Sequence, residues 1–477
     1  MKKVILILSF LYVFIPSAFS THLMGGEIIA QHNGGNDYII LLTIYRDTIG
    51  VPVDSSQVLY ISDANGNLIT SINCPLDSMA NHPIYGFPQG NLLPFYPYGI
   101  EIYFYSTIIT FPGSNNAEYI ISWDNCCRNG AIQNLPNPLS NDMHLFTTIT
   151  LDAASSNSTP YFMVKPVIFL PVNTPWQYNP LPFDPDGDSL HWSLGVPHES
   201  NGTAFGSPIT GYTDPPSDPS NVFSINPVTG TISWTATTLG NWVYTVVCEE
   251  YRNGIKIGEI RRDMQFIVLS SGGLPKFTNL GTIPLVNGYP QWTINAGQNF
   301  ELRLLANDPD PNDSVFFEAY GEPFLLANPP LFFQESTPNV NEIEAVLTWE
   351  PTSSEVRSDP YLVVLRLLDN VYMFDETIFI QVNGPVNVEK HDAKNIGSVF
   401  PNPVNNIIHI PVNLNYSGDV SVKIYDLYGK LVLEREDYFS EGDHMILIPA
   451  ELSNGQYILS IDQNNKRIGT QNFTVVK

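Results

Sequence analysis

Four landmarks occur twice in this chain, in the same order and about 115 to 125 residues apart. The first copy runs Phe183-Asp-Pro-Asp-Gly-Asp-Ser-Leu190, Gly230-Thr-Ile-Ser-Trp-Thr235, Trp242-Val-Tyr-Thr-Val-Val247 and Met264-Gln-Phe-Ile-Val-Leu269. The second runs Asn307-Asp-Pro-Asp-Pro-Asn-Asp-Ser-Val315, Ala345-Val-Leu-Thr-Trp-Glu350, Tyr361-Leu-Val-Val-Leu365 and Thr377-Ile-Phe-Ile-Gln-Val382. Each copy is an acidic turn followed by short runs of β-branched and aromatic residues, which suit a pleated, half-buried surface. The region before them is built the same way: Tyr38-Ile-Ile-Leu-Leu-Thr-Ile-Tyr45, Ile100-Glu-Ile-Tyr-Phe-Tyr105 and Ala117-Glu-Tyr-Ile-Ile-Ser-Trp123 are separated by turn-forming pieces such as Asn65-Gly-Asn67. Many short strands with regular turn signals predict an all-β chain of tandem β-sandwiches.

At 477 residues the chain exceeds a single core and suggests three or four units of roughly 100 to 150 residues. The 39 Pro and 33 Gly punctuate turns, and helical periodicity is nearly absent. Residues 1–20 read as a secretory signal peptide: Lys2 and Lys3, an apolar stretch from Val4 to Ile15, and a small-residue exit at Ala18-Phe-Ser20. No cysteine follows that exit, and no later apolar run is long enough for a membrane helix, so no transmembrane helix is expected in the mature chain. The formal charge of −26 argues against nucleic acid and anionic membranes as partners.

The last eighty or so residues carry Phe400-Pro-Asn-Pro403, Val420-Ser-Val-Lys-Ile-Tyr-Asp426, Leu427-Tyr-Gly-Lys430, Gly455-Gln-Tyr-Ile458 and Asn472-Phe-Thr-Val-Val-Lys477. This segment resembles the C-terminal (type A) sorting domain of the type IX secretion system of Bacteroidetes. The resemblance implies export through the periplasm and outer membrane to the surface or medium, with the secretion machinery as a partner. Thr21-His-Leu-Met-Gly-Gly-Glu27, Ile44-Tyr-Arg-Asp47 and Trp123-Asp-Asn-Cys-Cys-Arg-Asn-Gly130 resemble the N-terminal region of large Bacteroidetes surface proteins with immunoglobulin-like modules. The two repeats resemble cadherin-like and immunoglobulin-like domains, the Asn226-Pro-Val-Thr-Gly230 turn included. The expected organisation is a signal peptide (1–20), an N-terminal β-sandwich (21–158), two immunoglobulin/cadherin-like domains (159–270 and 271–383), a linker (384–397) and a small β-sandwich sorting domain (398–477).

The alternation Asp184, Asp186, Asp188 carries the sharpest chemistry, because residues two apart in a turning loop can gather carboxylates that a hard cation with oxygen ligands would neutralise. Ca2+ is the expected ion. The loop is not an EF-hand: its glycine stands at the fourth position, and Gly195 occupies the place of the bidentate glutamate. Analogy with cadherin-like domains points to Glu249, Glu250 and Asp263 for further ligands, and in the second copy to Asp308, Asp310, Asp313 and Asp369, with Pro311 replacing the glycine.

Four cysteines in an exported chain read as disulfide candidates. A bond between the adjacent Cys126 and Cys127 would be strained, so Cys74 is expected to pair with one of them. Cys248 then reaches the remaining cysteine or stays a buried thiol. No Gly-x-Ser-x-Gly elbow, His-Glu-x-x-His pair or phosphate loop is present, and Glu249 and Glu250 cannot flank one glycosidic bond because neighbours on a strand face opposite sides. The expectation is a non-enzymatic secreted or cell-surface protein for adhesion or extracellular scaffolding, with calcium-stiffened modules and an unknown cell-surface protein or glycan as partner. The alternative is a secreted polysaccharide-binding protein or an accessory to glycan degradation, to which the aromatics Phe95-Tyr-Pro-Tyr98 and Phe104-Tyr105 would contribute by stacking on sugar rings.

Overall fold

The computed structural model describes residues 23–48, 52–77, 90–91, 100–113, 116–151, 156–164, 166, 169–270, 272–310, 313–335, 342–369, 371–385 and 396–477. The signal peptide, Phe95 to Tyr98 and most of the linker lie outside them. Among the described residues the regular elements are β-strands and four short 3-10 turns, so the all-β reading stands. Strand contacts divide the chain into two compact units, Met1–Pro385 and Val386–Lys477.

In the first unit, strands β1 (Leu23–His32), β2 (Asp37–Asp47), β3 (Ser56–Asp63), β4 (Leu68–Pro75), β5 (Ile100–Thr110), β6 (Glu118–Asn125) and β7 (Met143–Thr150) come from the N-terminal region. The first repeat supplies β8 (Ser189–Gly195), β9 (Ile232–Trp234), β10 (Gly240–Arg252) and β11 (Ile255–Leu269). All of these except β9 belong to one 14-stranded sheet, with the path β4-β3-β6-β7-β11-β1-β2-β5. The long strand β11 makes the join. Its one edge is zipped along its length to β10, while the other meets β7 at Gly258 and Glu259, β1 at Arg262 and Asp263, and Phe169–Pro171 at Ile267 to Leu269. The division expected between residues 158 and 159 is therefore crossed by a shared sheet.

Packing follows the same join. One core takes Met24, Tyr45, Ile102 and Phe104 from the N-terminal region, Trp176, Trp192, Trp234 and Phe266 from the first repeat, and Val364 and Tyr372 from the second. Tyr244 stacks on Phe266 at 4.1 Å, a contact worth about 0.5–1.5 kcal/mol beyond burial. The adjoining Gly25-Gly26 pair explains itself sterically: a Cβ on Gly25 would overlap the Asp263 carbonyl of β11, and one on Gly26 the Thr43 carbonyl of β2.

Two buried ion pairs sit at the join. Arg262 donates to Glu27 at 2.5 and 2.7 Å, lies over the Phe162 ring and also reaches the Val164 carbonyl. Arg128 forks onto Asp263 at 2.9 and 2.7 Å.

The second repeat contains β12 (Tyr289–Asn295), β13 (Phe300–Asn307), β14 (Phe316–Gly321), β15 (Glu342–Trp349), β16 (Tyr361–Leu368) and β17 (Met373–Asn383). A four-stranded and a five-stranded sheet enclose a core around Leu304, Leu347, Trp349 and Ile378, the latter sheet holding β12 parallel to β17. It is fastened to the first repeat by polar contacts. The Asn179 amide donates to Asp375, which is paired with Arg366, and the Trp176 indole donates to the Met373 carbonyl.

The second unit comprises β18 (Ile407–Leu414), β19 (Gly418–Asp426), β20 (Leu431–Phe439), β21 (Gly442–Pro449), β22 (Gly455–Gln463) and β23 (Lys466–Val475). A two-stranded sheet, β18-β21, packs on a four-stranded one, β20-β19-β22-β23, over a core of Ile408, Ile410, Val422, Leu459 and Phe473.

The cysteine pairing differs from expectation. The sulfurs of Cys126 and Cys127 meet each other just after β6, while Cys74 and Cys248 are free and buried. Cys74 packs with Leu59, Ile61 and Trp123 in one core and Cys248 with Trp192 and Ile260 in another, so neither can reach a partner.

Candidate metal sites

The acidic turn of the first repeat is shaped by Asp184, whose Oδ1 accepts the backbone N–H groups of Asp186 and Asp188, both at 2.9 Å. Gly187 takes φ +82°, the left-handed conformation the turn needs. This tight turn, set before β8, carries the Asp184 side chain inward, where Oδ2 is buried and has no hydrogen-bond partner. Glu250, opposite Leu190 on the neighbouring β10, points into the same space. It is fully buried, and neither of its oxygens accepts a hydrogen bond from an N–H or hydroxyl donor. Carboxylate oxygens of Asp184, Asp188 and Glu250 lie within 4.8 Å of one another. Across the ladder stands Gly258, where any Cβ would press on Glu250 Oε2.

The other first-copy candidates go elsewhere. Asp186 accepts the Ser158 N–H at 2.6 Å, gripping the chain that enters the module. Glu249 faces the opposite side of β10 and takes bonds from Lys256 and Tyr251. Asp263 is held by Arg128. Asp188 remains in the cluster but is forked by Arg252 at 2.5 to 3.2 Å, one fixed cation beside three carboxylates.

The second repeat rebuilds the arrangement. Asp308 Oδ1 accepts the Asp310 N–H at 2.7 Å while its buried Oδ2 has no partner. Asp308, Asp310 and Asp313 place carboxylate oxygens within 4.8 Å of one another. Asp369, just beyond β16 as Glu250 lies near the end of β10, accepts the amides of Val371 and Tyr372 through Oδ1 and leaves a buried Oδ2 without a partner. Asp310 also accepts the Gly273 N–H at 2.7 Å, the counterpart of Asp186 with Ser158. In each repeat the acidic turn thus holds the segment that leads into its own module. Asp369 lies outside that close group but near enough for the charges of Asp308 and Asp313 to act on it.

The electrostatics record the crowding. Burial pushes Glu250 up to about 9, with the Asp184 and Asp188 charges adding to it. Burial likewise lifts Asp184 to about 6, against the pull of the two amides on Oδ1, and Asp369 to about 6. Buried carboxylate oxygens lacking donors demand either a proton or a cation.

This gives a signed pH effect. In chelator the folded chain keeps a proton on Glu250 that the unfolded chain releases near its ordinary 4.5, so the folded state binds more protons between that value and about 9. Stability from this group is full below the lower value and falls as pH rises through the window. Melting in chelator from pH 5 to 9 should show that decline, and Glu250→Gln should flatten it above about pH 7, because Asp184, Asp369 and Glu376, also raised by burial, contribute below that. Superimposable profiles for the two proteins would contradict this assignment.

Two other groups take structural roles. Cys126 and Cys127 lie near Asp142, but their sulfurs are spent on each other. Phe104 and Tyr105 are buried in cores and offer no platform for a sugar.

Comparison with known proteins bears on the second unit. Residues 398–476 match the model of the family described as the secretion system C-terminal sorting domain. The tail matches a sorting domain over nearly its whole length. Such a tail implies export to the cell surface or medium and contact with the type IX machinery. No curated protein matches the chain.

Solved structures similar to it include an endo-fucoidan hydrolase of glycoside hydrolase family 107, at 11% identity over 68% of this chain and 45% of that one, TM-score 0.18. Others are the FN1-FN3 domains of chicken CNTN1, at 11% identity over 67% and 99%, TM-score 0.14, and an alpha-2-macroglobulin of Escherichia coli, at 9% over 96% and 35%, TM-score 0.18. The chain spans under half the length of the first of these, and likeness at such TM-scores carries no argument.

Proposed function

We propose that the exported protein is a non-enzymatic adhesive or scaffolding element of the cell surface whose two acidic turns each take up a calcium ion. The observation that supports this is the repeated pair of buried carboxylates with oxygens that accept no hydrogen bond, Asp184 with Glu250 and Asp308 with Asp369. A calcium ion accepts six to eight oxygens in flexible geometry, and backbone carbonyls and water can complete a set begun by three or four carboxylates. Because Asp186 and Asp310 also grip the entering chain, an ion in each turn would stiffen the passage into the module. The rigid passage keeps an extended binding surface presented to its partner.

The test is melting of the mature protein with excess calcium and with chelator. One site saturated at a hundred times its Kd adds about 2.7 kcal/mol, which raises the transition by several degrees in a unit of this size. Asp184→Asn with Glu250→Gln should remove the first site's share. Cell attachment measured on the same samples should fall in chelator. A transition and an attachment that ignore calcium would together sink the proposal.

A further inference from the structure

Where the two repeats meet, the first unit holds a cleft of about 550 Å3. Strand register explains its opening. β12 runs beside β17 only from Gln291 and Phe379 onward, so the early part of β17 is paired with β16 on one edge and with no described strand on the other. Trp176 of the first repeat and Leu280 and Pro290 of the second wall the gap and are buried, with Phe277 and Phe374 half-buried beside them. The Trp176 indole N–H is already given to the Met373 carbonyl, so its ring serves as an apolar wall. One carboxylate faces this space. Glu376 stands opposite the core residue Leu365 and shares the parity of Ile378 and Ile380, while Asp375 and Thr377 turn the other way and hold Asn179. A strand that sends those isoleucines inward sends Glu376 inward too, at the point where the sandwich is open. Burial alone lifts Glu376 to about 7, and no donor or charge among the described residues acts on it. The other charged side chain of the lining, Lys276, is exposed and makes no ion pair with it.

We propose that this cleft binds a small organic ammonium ion, its charge set on Glu376 and its apolar body laid against Trp176, Leu280 and Phe374. The volume falls in the range of small-molecule sites, and apolar walls with one charged group to fix orientation are their usual make-up. A carboxylate that has lost water and gained no donor is costly, and a hydrogen-bonded cation offsets that cost. The walls select the kind of cation. A calcium ion needs six to eight oxygens, which Trp176, Leu280 and Pro290 cannot supply, whereas an ammonium group has only three protons to place. Gln177 and Ser233, also in the lining, offer neutral acceptors beside the carboxylate. The formal charge of −26 draws cations toward the protein in general, and the cleft gives one a specific seat. The proposal does not rest on the calcium sites or on the sorting tail.

The experiment titrates the mature full-length chain, at one fixed calcium concentration, with three probes of similar shape: phenethylamine, phenethyl alcohol and hydrocinnamate. Ligand-detected NMR and calorimetry read binding. The amine is expected to bind roughly tenfold or more tightly than the alcohol, the margin of a charge-assisted hydrogen bond, and the carboxylate probe more weakly than either. Glu376→Gln keeps the shape of the side chain and should erase the margin, while continued binding of the alcohol shows that the cleft still forms. The amine stays protonated across the range, so its binding should be about tenfold weaker at about pH 6 than at about pH 8, where Glu376 is mostly ionised, and Glu376→Gln should abolish that difference. Equal affinity for amine and alcohol, a preference for the carboxylate probe, an unchanged amine margin in Glu376→Gln, or no amine binding up to roughly 10 mM would each overturn the proposal.

Discussion

A chain ending at Pro385 is expected to be made, folded and left in the periplasm, with its surface and medium fractions lost almost completely. The division between the two compact units falls there, so among the described residues truncation severs no strand pairing or core of the first unit. That unit keeps its own cores, around Trp234 and Phe266, around Trp123 and Tyr105, and around Trp349 and Leu365. What truncation removes is the segment matched as a sorting domain. Fractionation with an antibody to the first unit reads the outcome. A truncated chain that still reaches the surface in normal amount would show that export does not depend on the tail.

Arg262→Met should be among the most damaging single changes in the first unit. It strands Glu27, fully buried on β1, without the guanidinium that holds both its oxygens. Breaking a buried pair from one side costs about 3–5 kcal/mol, a fall of roughly 5 to 10 °C in melting temperature here. The double change Glu27→Gln with Arg262→Met should recover part of the loss, because it removes the orphaned charge as well. The location adds a second readout. β1 meets β11 at Glu27 and Arg262, so residues 23–150 and 189–269 are expected to melt together in calorimetry. Two separate transitions for those segments, or a loss under 1 kcal/mol in the single variant, would refute the coupling.

The acidic turns show how far local sequence reaches. Asp-Pro-Asp-Gly-Asp fixes a turn through hydrogen bonds spanning two and four residues at Asp184, and the two-residue bond recurs at Asp308. The partner carboxylate lies on another strand, and its choice depends on parity. Glu249 and Glu250 are adjacent and chemically alike, but a strand sends them to opposite faces, and only the register with Leu190 and Gly258 puts Glu250 inside. Asp263 was equally eligible by composition. It is committed to Arg128, 135 residues away, a pairing with no local signature.

The sequence by itself determined the β class, the twofold repeat, the acidic turns and the sorting tail, because each is written in spacing that a few neighbouring residues enforce. The tertiary structure decided that the first repeat shares a sheet with the N-terminal region, that Cys74 and Cys248 are shut into separate cores, and that Glu250 rather than Glu249 faces the acidic turn. Those outcomes depend on which strand edges meet. A β11 edge long enough to host three partners gains hydrogen bonds and buried surface wherever they pair, and that free energy is set by the whole chain.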